Sequence, residues 1–209
     1  MLYSVWANIF LIPASVVAFY NDSYYISSVT FLYAVVDSAY HACEADVNGE
    51  WCLAPEFYDL GWTRFTDWSL SRSLALALMT QLLFRNQYLR MVSRYLIELV
   101  VLLVSTENSH SFYQGDVLIA GLYLGLWTVS LLFDLAPRVH IPYLLGMFFF
   151  AVLVIGFQVG AEIYISNYDY LHGLGTISMA GVVICVSRAP RLRFIAWPSR
   201  PQAQNISHL

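Results

Sequence analysis

The sequence predicts an all-α polytopic membrane protein: a seven-transmembrane helix bundle with its N-terminus outside and its C-terminus cytoplasmic. Three observations predict it. Hydrophobic residues make up 59% of the 209 residues and charged ones only 11%, where soluble domains carry roughly 25% charge. Seven apolar runs, each near the ~20 residues that cross a bilayer, alternate with polar punctuation. All ten basic residues are Arg, and eight of them fall on one side of the implied bundle.

The elements follow in order. The first run covers 2–20 and stops at Asn21-Asp22. It lacks the basic start and small-residue cleavage site of a signal peptide, so it reads as a span. The second covers 24–42, and an acidic loop separates it from the third, 62–84, which ends at Arg85. The fourth, 90–105, is the most polar; its Arg94 and Glu98 are four apart and expected to pair. The fifth covers 117–135, Pro137 and Pro142 mark the next turn, and the sixth covers 141–163. The seventh covers 169–187 and Pro190 stops it. Residues 1–188 thus form one transmembrane domain and 189–209 a cytoplasmic tail. The GxxxG pairs Gly121–Gly125 and Gly156–Gly160 are expected to let helices of the bundle approach closely.

Orientation comes from Arg. Arg85, Arg90, Arg94, Arg138, Arg188, Arg191, Arg193 and Arg200 gather on one side, the cytoplasm by the positive-inside rule. The 43–61 loop is then extracytoplasmic, which permits a Cys43–Cys52 disulfide. The Asn205 sequon becomes cytoplasmic and is expected to stay unglycosylated. A net charge of −4 argues against a nucleic-acid partner. No phosphate-binding glycine motif is present.

The candidate chemistry lies at the outer ends of the second, third and seventh runs. Asp37, Ser38 and His41 are spaced to share one helix face. Asp67 falls about 8 Å into the third run at 1.5 Å per residue, with Ser71 one turn on. His172 opens the seventh run, three residues after Asp169. Neutral imidazole is the commonest zinc ligand, and a catalytic zinc keeps three protein ligands and an open position. His41 and His172 are therefore candidate ligands, with Asp67 and Ser38 as candidate catalytic groups and Asp37, Ser71 and Asp169 supporting. The same residues also serve as ordinary hydrogen-bonded helix ends.

Ser38, Tyr40, His41 and Cys43, a second Cys in the following loop (Cys52), Asp67 with Ser71, and the run Asp169-Tyr170-Leu171-His172-Gly173 resemble the CREST superfamily of seven-span membrane proteins. That group includes alkaline ceramidases, adiponectin-receptor relatives and the transmembrane protein 8 branch with myomaker, and the likeness is greatest to that last branch. The resemblance implies zinc held by a span-two His and two span-seven His in an HxxxH pair, with the Ser and Asp supporting. It implies hydrolysis of lipid amides or esters in several branches and membrane fusion in myomaker. This chain departs at Thr176, which stands where the second span-seven His belongs.

Two functions are therefore expected. The first is a myomaker-like protein acting in membrane remodelling or cell–cell fusion at the outer leaflet, with a degenerate metal site. The alternative is a zinc-dependent lipid hydrolase using the same outer pocket, with a third ligand from elsewhere. Either acts on membrane lipid, alone or with a membrane-protein partner or second copy, in the plasma membrane or a secretory-pathway membrane. A receptor reading lacks both a DRY-like triplet and an NPxxY motif.

Overall fold

The computed structural model describes residues 3–45, 60–107 and 112–190. Cys52, His110, Asn205 and His208 lie outside them. Seven helical segments run in chain order, with no strand among the described residues. The first, α1, spans Tyr3–Tyr20 and is broken by a 3-10 turn at Asn8–Phe10. Pro13 accounts for the break, because it has no N–H to offer the Ile9 carbonyl and its ring crowds that oxygen. Then follow α2 (Tyr24–Ala45), α3 (Leu60–Gln81), α4 (Gln87–Glu107), α5 (Phe112–Leu132), α6 (Ile141–Ile163) and α7 (Tyr168–Arg188). Among the described residues, three helical stretches are long and apolar enough to cross a bilayer: Tyr3–Tyr20, Ile141–Ala161 and Tyr168–Arg188. That is consistent with a membrane protein.

Two turns share one device. After α1, Asp22 adopts φ 56°, Ser23 N–H reaches the Ala18 carbonyl at 3.0 Å, and Asp22 N–H reaches Phe19 at 3.0 Å. After α5, Asp134 adopts φ 50°, while Leu135 N–H bonds Ser130 at 2.8 Å and Asp134 N–H bonds Leu131 at 3.2 Å. Both are Schellman caps with a short polar residue in the left-handed position usually given to glycine.

The core is built from α1, α2, α3 and α7. Leu11, Ile26, Leu74 and Val183 are fully enclosed there. Polar ties cross it: Ser15 Oγ donates to the Ser27 carbonyl at 2.9 Å, and Gln81 Nε2 to Ser23 Oγ at 3.1 Å. Helix α6 lies along α7, where a Cβ on Gly181 would meet the Phe150 ring at 2.6 Å and one on Gly146 would meet Cys185 Sγ at 2.9 Å. The glycines that bring these helices together are thus Gly146 and Gly181. The expected pairs do not do this. A Cβ on Gly121, Gly125 or Gly156 meets nothing within 4 Å among the described residues, and one on Gly160 makes an ordinary contact with Leu171. Gly121, Gly125 and Gly156 are exposed, while Gly160 faces α7.

Helix α4 explains its own polarity. Tyr88, Met91, Val92, Tyr95, Leu96 and Leu99 are exposed, while Arg90, Ser93 and Ile97 are buried. Its charged and polar groups thus face inward and its apolar side outward. Arg94 and Glu98 do not form the expected ion pair. The Arg94 guanidinium lies over the Tyr25 ring at 4.2 Å, and Glu98 accepts hydrogen bonds from Tyr25 Oη and from Ser73 Oγ, the latter at 2.7 Å. Tyr25 stands between them and engages both.

Candidate metal centre

The last two turns of α2 carry Asp37 and His41 inward, and the first turn of α7 carries His172 to meet them. His41 Nε2 and His172 Nε2 are 3.2 Å apart. Asp37 Oδ1 lies 3.5 Å from His41 Nε2 and 3.9 Å from His172 Nε2. The three groups are 0%, 5% and 9% exposed for Asp37, His41 and His172. Their donor atoms all fall within 4.8 Å of one another.

This triangle fits a metal. Ligand atoms about 2.0–2.1 Å from a tetrahedral ion stand about 3.3–3.4 Å from each other, and the observed edges bracket that length. Two imidazoles and one carboxylate are also a known donor set for zinc and for non-haem iron. Without a cation, two ring nitrogens and a carboxylate in an apolar bundle can be held together only by shared protons. The fit has one weak side. His172 Nδ1 is buried and meets no hydrogen-bond partner among the described residues, where a ligating His usually donates that proton. The Tyr168 ring stacks on His172 instead, 5.5 Å away and tilted by 15°.

A residue from α1 completes the arrangement. Asn8 is 2% exposed, and its amide Nδ2 donates to Asp37 Oδ2 in a short hydrogen bond. That leaves Oδ1 turned toward the imidazoles. The 3-10 turn at Asn8–Phe10 is where α1 presents this amide. Sequence reasoning missed Asn8; the available signal was a lone amide inside an apolar run. Replacing Asn8 with alanine is expected to weaken metal binding about 10–100-fold, the usual cost of losing a partner behind a ligand. Competition with a chelating dye reads it.

The other expected residues have other duties. Asp169 accepts from Tyr3 N–H and Ser4 N–H at 3.1 Å each and from Ser4 Oγ at 2.7 Å. It therefore clasps the start of α1 to the start of α7 and holds Asn8 in register. Ser38 is half-buried and donates to the Ala34 carbonyl at 2.6 Å. Thr176 is buried and donates to the His172 carbonyl at 3.2 Å, within its own helix. Ser71 is half-buried on α3, and Asp67 lies on the same helix with its side chain outside the described set. Cys43 is bonded in a disulfide, and Cys185 is a buried free thiol. His140 sits at the start of α6, where its N–H bonds Ala189 at the end of α7, so it lies at the opposite end of the bundle from His172.

Residues 1–177 match the family described as "Protein of unknown function (DUF3522)". The chain belongs to that family. No curated protein matches it. All three donors and Asn8 of this DUF3522 chain fall inside the matched residues.

Proposed function

We propose that this chain is a seven-span membrane protein whose outer end binds a divalent metal, zinc foremost, on Asp37, His41 and His172, and that the centre hydrolyses an ester or amide bond of a membrane lipid. The observation that carries this is the donor triangle. Thr176 is not the ligand the CREST resemblance calls for, but Asp37 Oδ1 supplies a third donor at 3.5 and 3.9 Å from the two imidazoles.

A divalent metal held by Asp37, His41 and His172 would supply Lewis-acid chemistry, polarising a carbonyl and acidifying water. The protein groups do the rest. Asn8 fixes Asp37 so that one carboxylate oxygen faces the site. Burial of all three donors keeps bulk water out and strengthens each charge interaction. The water oxygen joins the acyl carbon, the ester C–O or amide C–N bond breaks, and the water proton passes to the leaving atom. Asp67, near the same end of α3, is the candidate to carry that proton.

The orientation draws on a second cluster. At the other end of the bundle, Arg85 N–H bonds Leu135 and its guanidinium bonds the Asp134 carbonyl at 3.2 Å. The 138–140 and 188–190 segments meet there through a Val139–Pro190 bridge. The Arg-bearing ends of α3, α5, α6 and α7 therefore share a side, as a cytoplasmic face requires.

One observation favours a second reading, a non-hydrolytic remodelling or fusion factor like myomaker. The donors are nearly sealed, so a bound metal would brace α1, α2 and α7 together. Purified protein decides. Stoichiometric metal, lost in His41→Ala, with hydrolysis of ceramide or phospholipid that chelation abolishes, supports the enzyme. Stoichiometric metal with no hydrolysis gives the brace. Folded, metal-free protein overturns both.

A further inference from the structure

The end of the bundle away from the Asp37–His41–His172 cluster holds a charge with no partner among the described residues. Arg90 is only 8% exposed, lies in the first turn of α4 and faces inward, while Tyr88, Met91 and Val92 around it face outward. Among the described residues its guanidinium makes no hydrogen bond and no ion pair. Arg94 follows one turn later on the same face. It rests on the Tyr25 ring, and its Nε is buried with no hydrogen-bond partner among the described residues. The one carboxylate nearby on α4, Glu98, is engaged by Tyr25 and Ser73. Asp22 accepts from Tyr24 Oη at 2.9 Å and Asp134 is exposed. A buried guanidinium without an anion is costly, and two of them a turn apart repel.

We infer that Arg90 and Arg94 form a binding site for a phosphate-bearing anion, supplied by a phospholipid headgroup of the Arg-rich leaflet. The chemistry selects phosphate. Two guanidinium forks present several N–H donors to a tetrahedral anion with three or more acceptor oxygens. The first turn of α4 adds the positive end of its dipole. Asn86 Oδ1 caps the Tyr88 and Leu89 amides at 2.8 and 3.5 Å, and its carbonyl accepts from Arg90 N–H at 3.0 Å, so the anion is left to the two guanidinium groups. Two positive charges match the two negative charges of a phosphomonoester better than the single one of a phosphodiester. Tyr25 lies sixteen residues before His41 on α2, about 24 Å away along the helix, so this site is separate from the metal centre. Basic recesses between spans on the cytoplasmic side are a recognised way of holding anionic headgroups.

The test uses the full chain in phosphatidylcholine nanodiscs, with and without phosphatidic acid, and in detergent with inorganic phosphate. Phosphatidic acid is expected to bind at least about tenfold more tightly than phosphatidylcholine. Arg90→Gln is expected to abolish that preference, while Arg85→Gln, whose side chain holds the Asp134 carbonyl, retains it. Arg90→Lys, which keeps the charge and should fold, is expected to keep only part of it because the fork is lost. Equal protection from heat by inorganic phosphate would assign the site to a soluble phosphate ligand and overturn the lipid. No preference in wild type, or an unchanged one in Arg90→Gln and Arg90→Lys, overturns the site.

Discussion

Asp37→Asn is expected to lower metal affinity by more than about 100-fold, beyond the range for partners behind a ligand. The change keeps the size of the side chain and removes the charge that a cation needs. The structural alternative predicts otherwise. If Asp37 only hydrogen-bonds Asn8 and a neutral imidazole, an amide in its place leaves metal content untouched and shifts stability by about 1 kcal/mol, one ordinary hydrogen bond. Thr176→Val is the matched control. Its hydroxyl is turned to its own helix at 3.2 Å from the His172 carbonyl, so metal content is expected to be unchanged. Elemental analysis of the purified variants reads both. Loss of metal in Thr176→Val with retention in Asp37→Asn would reverse the assignment of the third donor.

Gly181→Ala is expected to destabilise the bundle by about 1–3 kcal/mol, the usual cost of overpacking. The added methyl carbon would sit 2.6–2.8 Å from three atoms of the Phe150 ring, among them Cγ, which is the root of the ring and cannot swing away. Either α6 moves off α7 or Phe150 leaves its rotamer. Pairing Gly181→Ala with Phe150→Leu should recover part of the loss. Gly156→Ala, whose added carbon meets no described atom within 4 Å, should be near neutral. Thermal unfolding in one detergent ranks the four proteins; equal loss in Gly156→Ala and Gly181→Ala would show that the contact is not the cause.

The helices were legible because each apolar run is close to the length of a membrane crossing. The expected 141–163 is Ile141–Ile163, and 24–42 became Tyr24–Ala45. Ends were less legible where hydrophobicity continues past a cap. Helix α5 stops at Leu132 and not at 135, because Asp134 turns left-handed while Phe133 and Leu135 keep the run apolar. Helix α4 starts at Gln87 and not at 90, because Asn86 caps the amides of Tyr88 and Leu89. In the site, His41 and His172 could be read from their places at the ends of two runs. Asp37 was visible as a neighbour of His41 at helical spacing, but its place beside both imidazoles required knowing the rotation of α2 against α7. The same is true of Asn8, whose partner is 29 residues away in sequence. The misplaced glycine expectation has a similar source: GxxxG records a smooth face but not which neighbour, if any, lies on it.

The distance in sequence between the donors carries a consequence for biosynthesis. Asp37 and His41 leave the ribosome first, and His172 follows 131 residues after His41. At 5–20 residues per second that gap lasts roughly 7–26 s. During it, the Asp37 carboxylate and His41 imidazole of α2 wait for their counterpart. Asp169 arrives only three residues before His172, so the fastening of the first helix and the closure of the triangle belong to the same final insertion event. If the proposed metal is bound, nascent chains arrested before α7 should retain none.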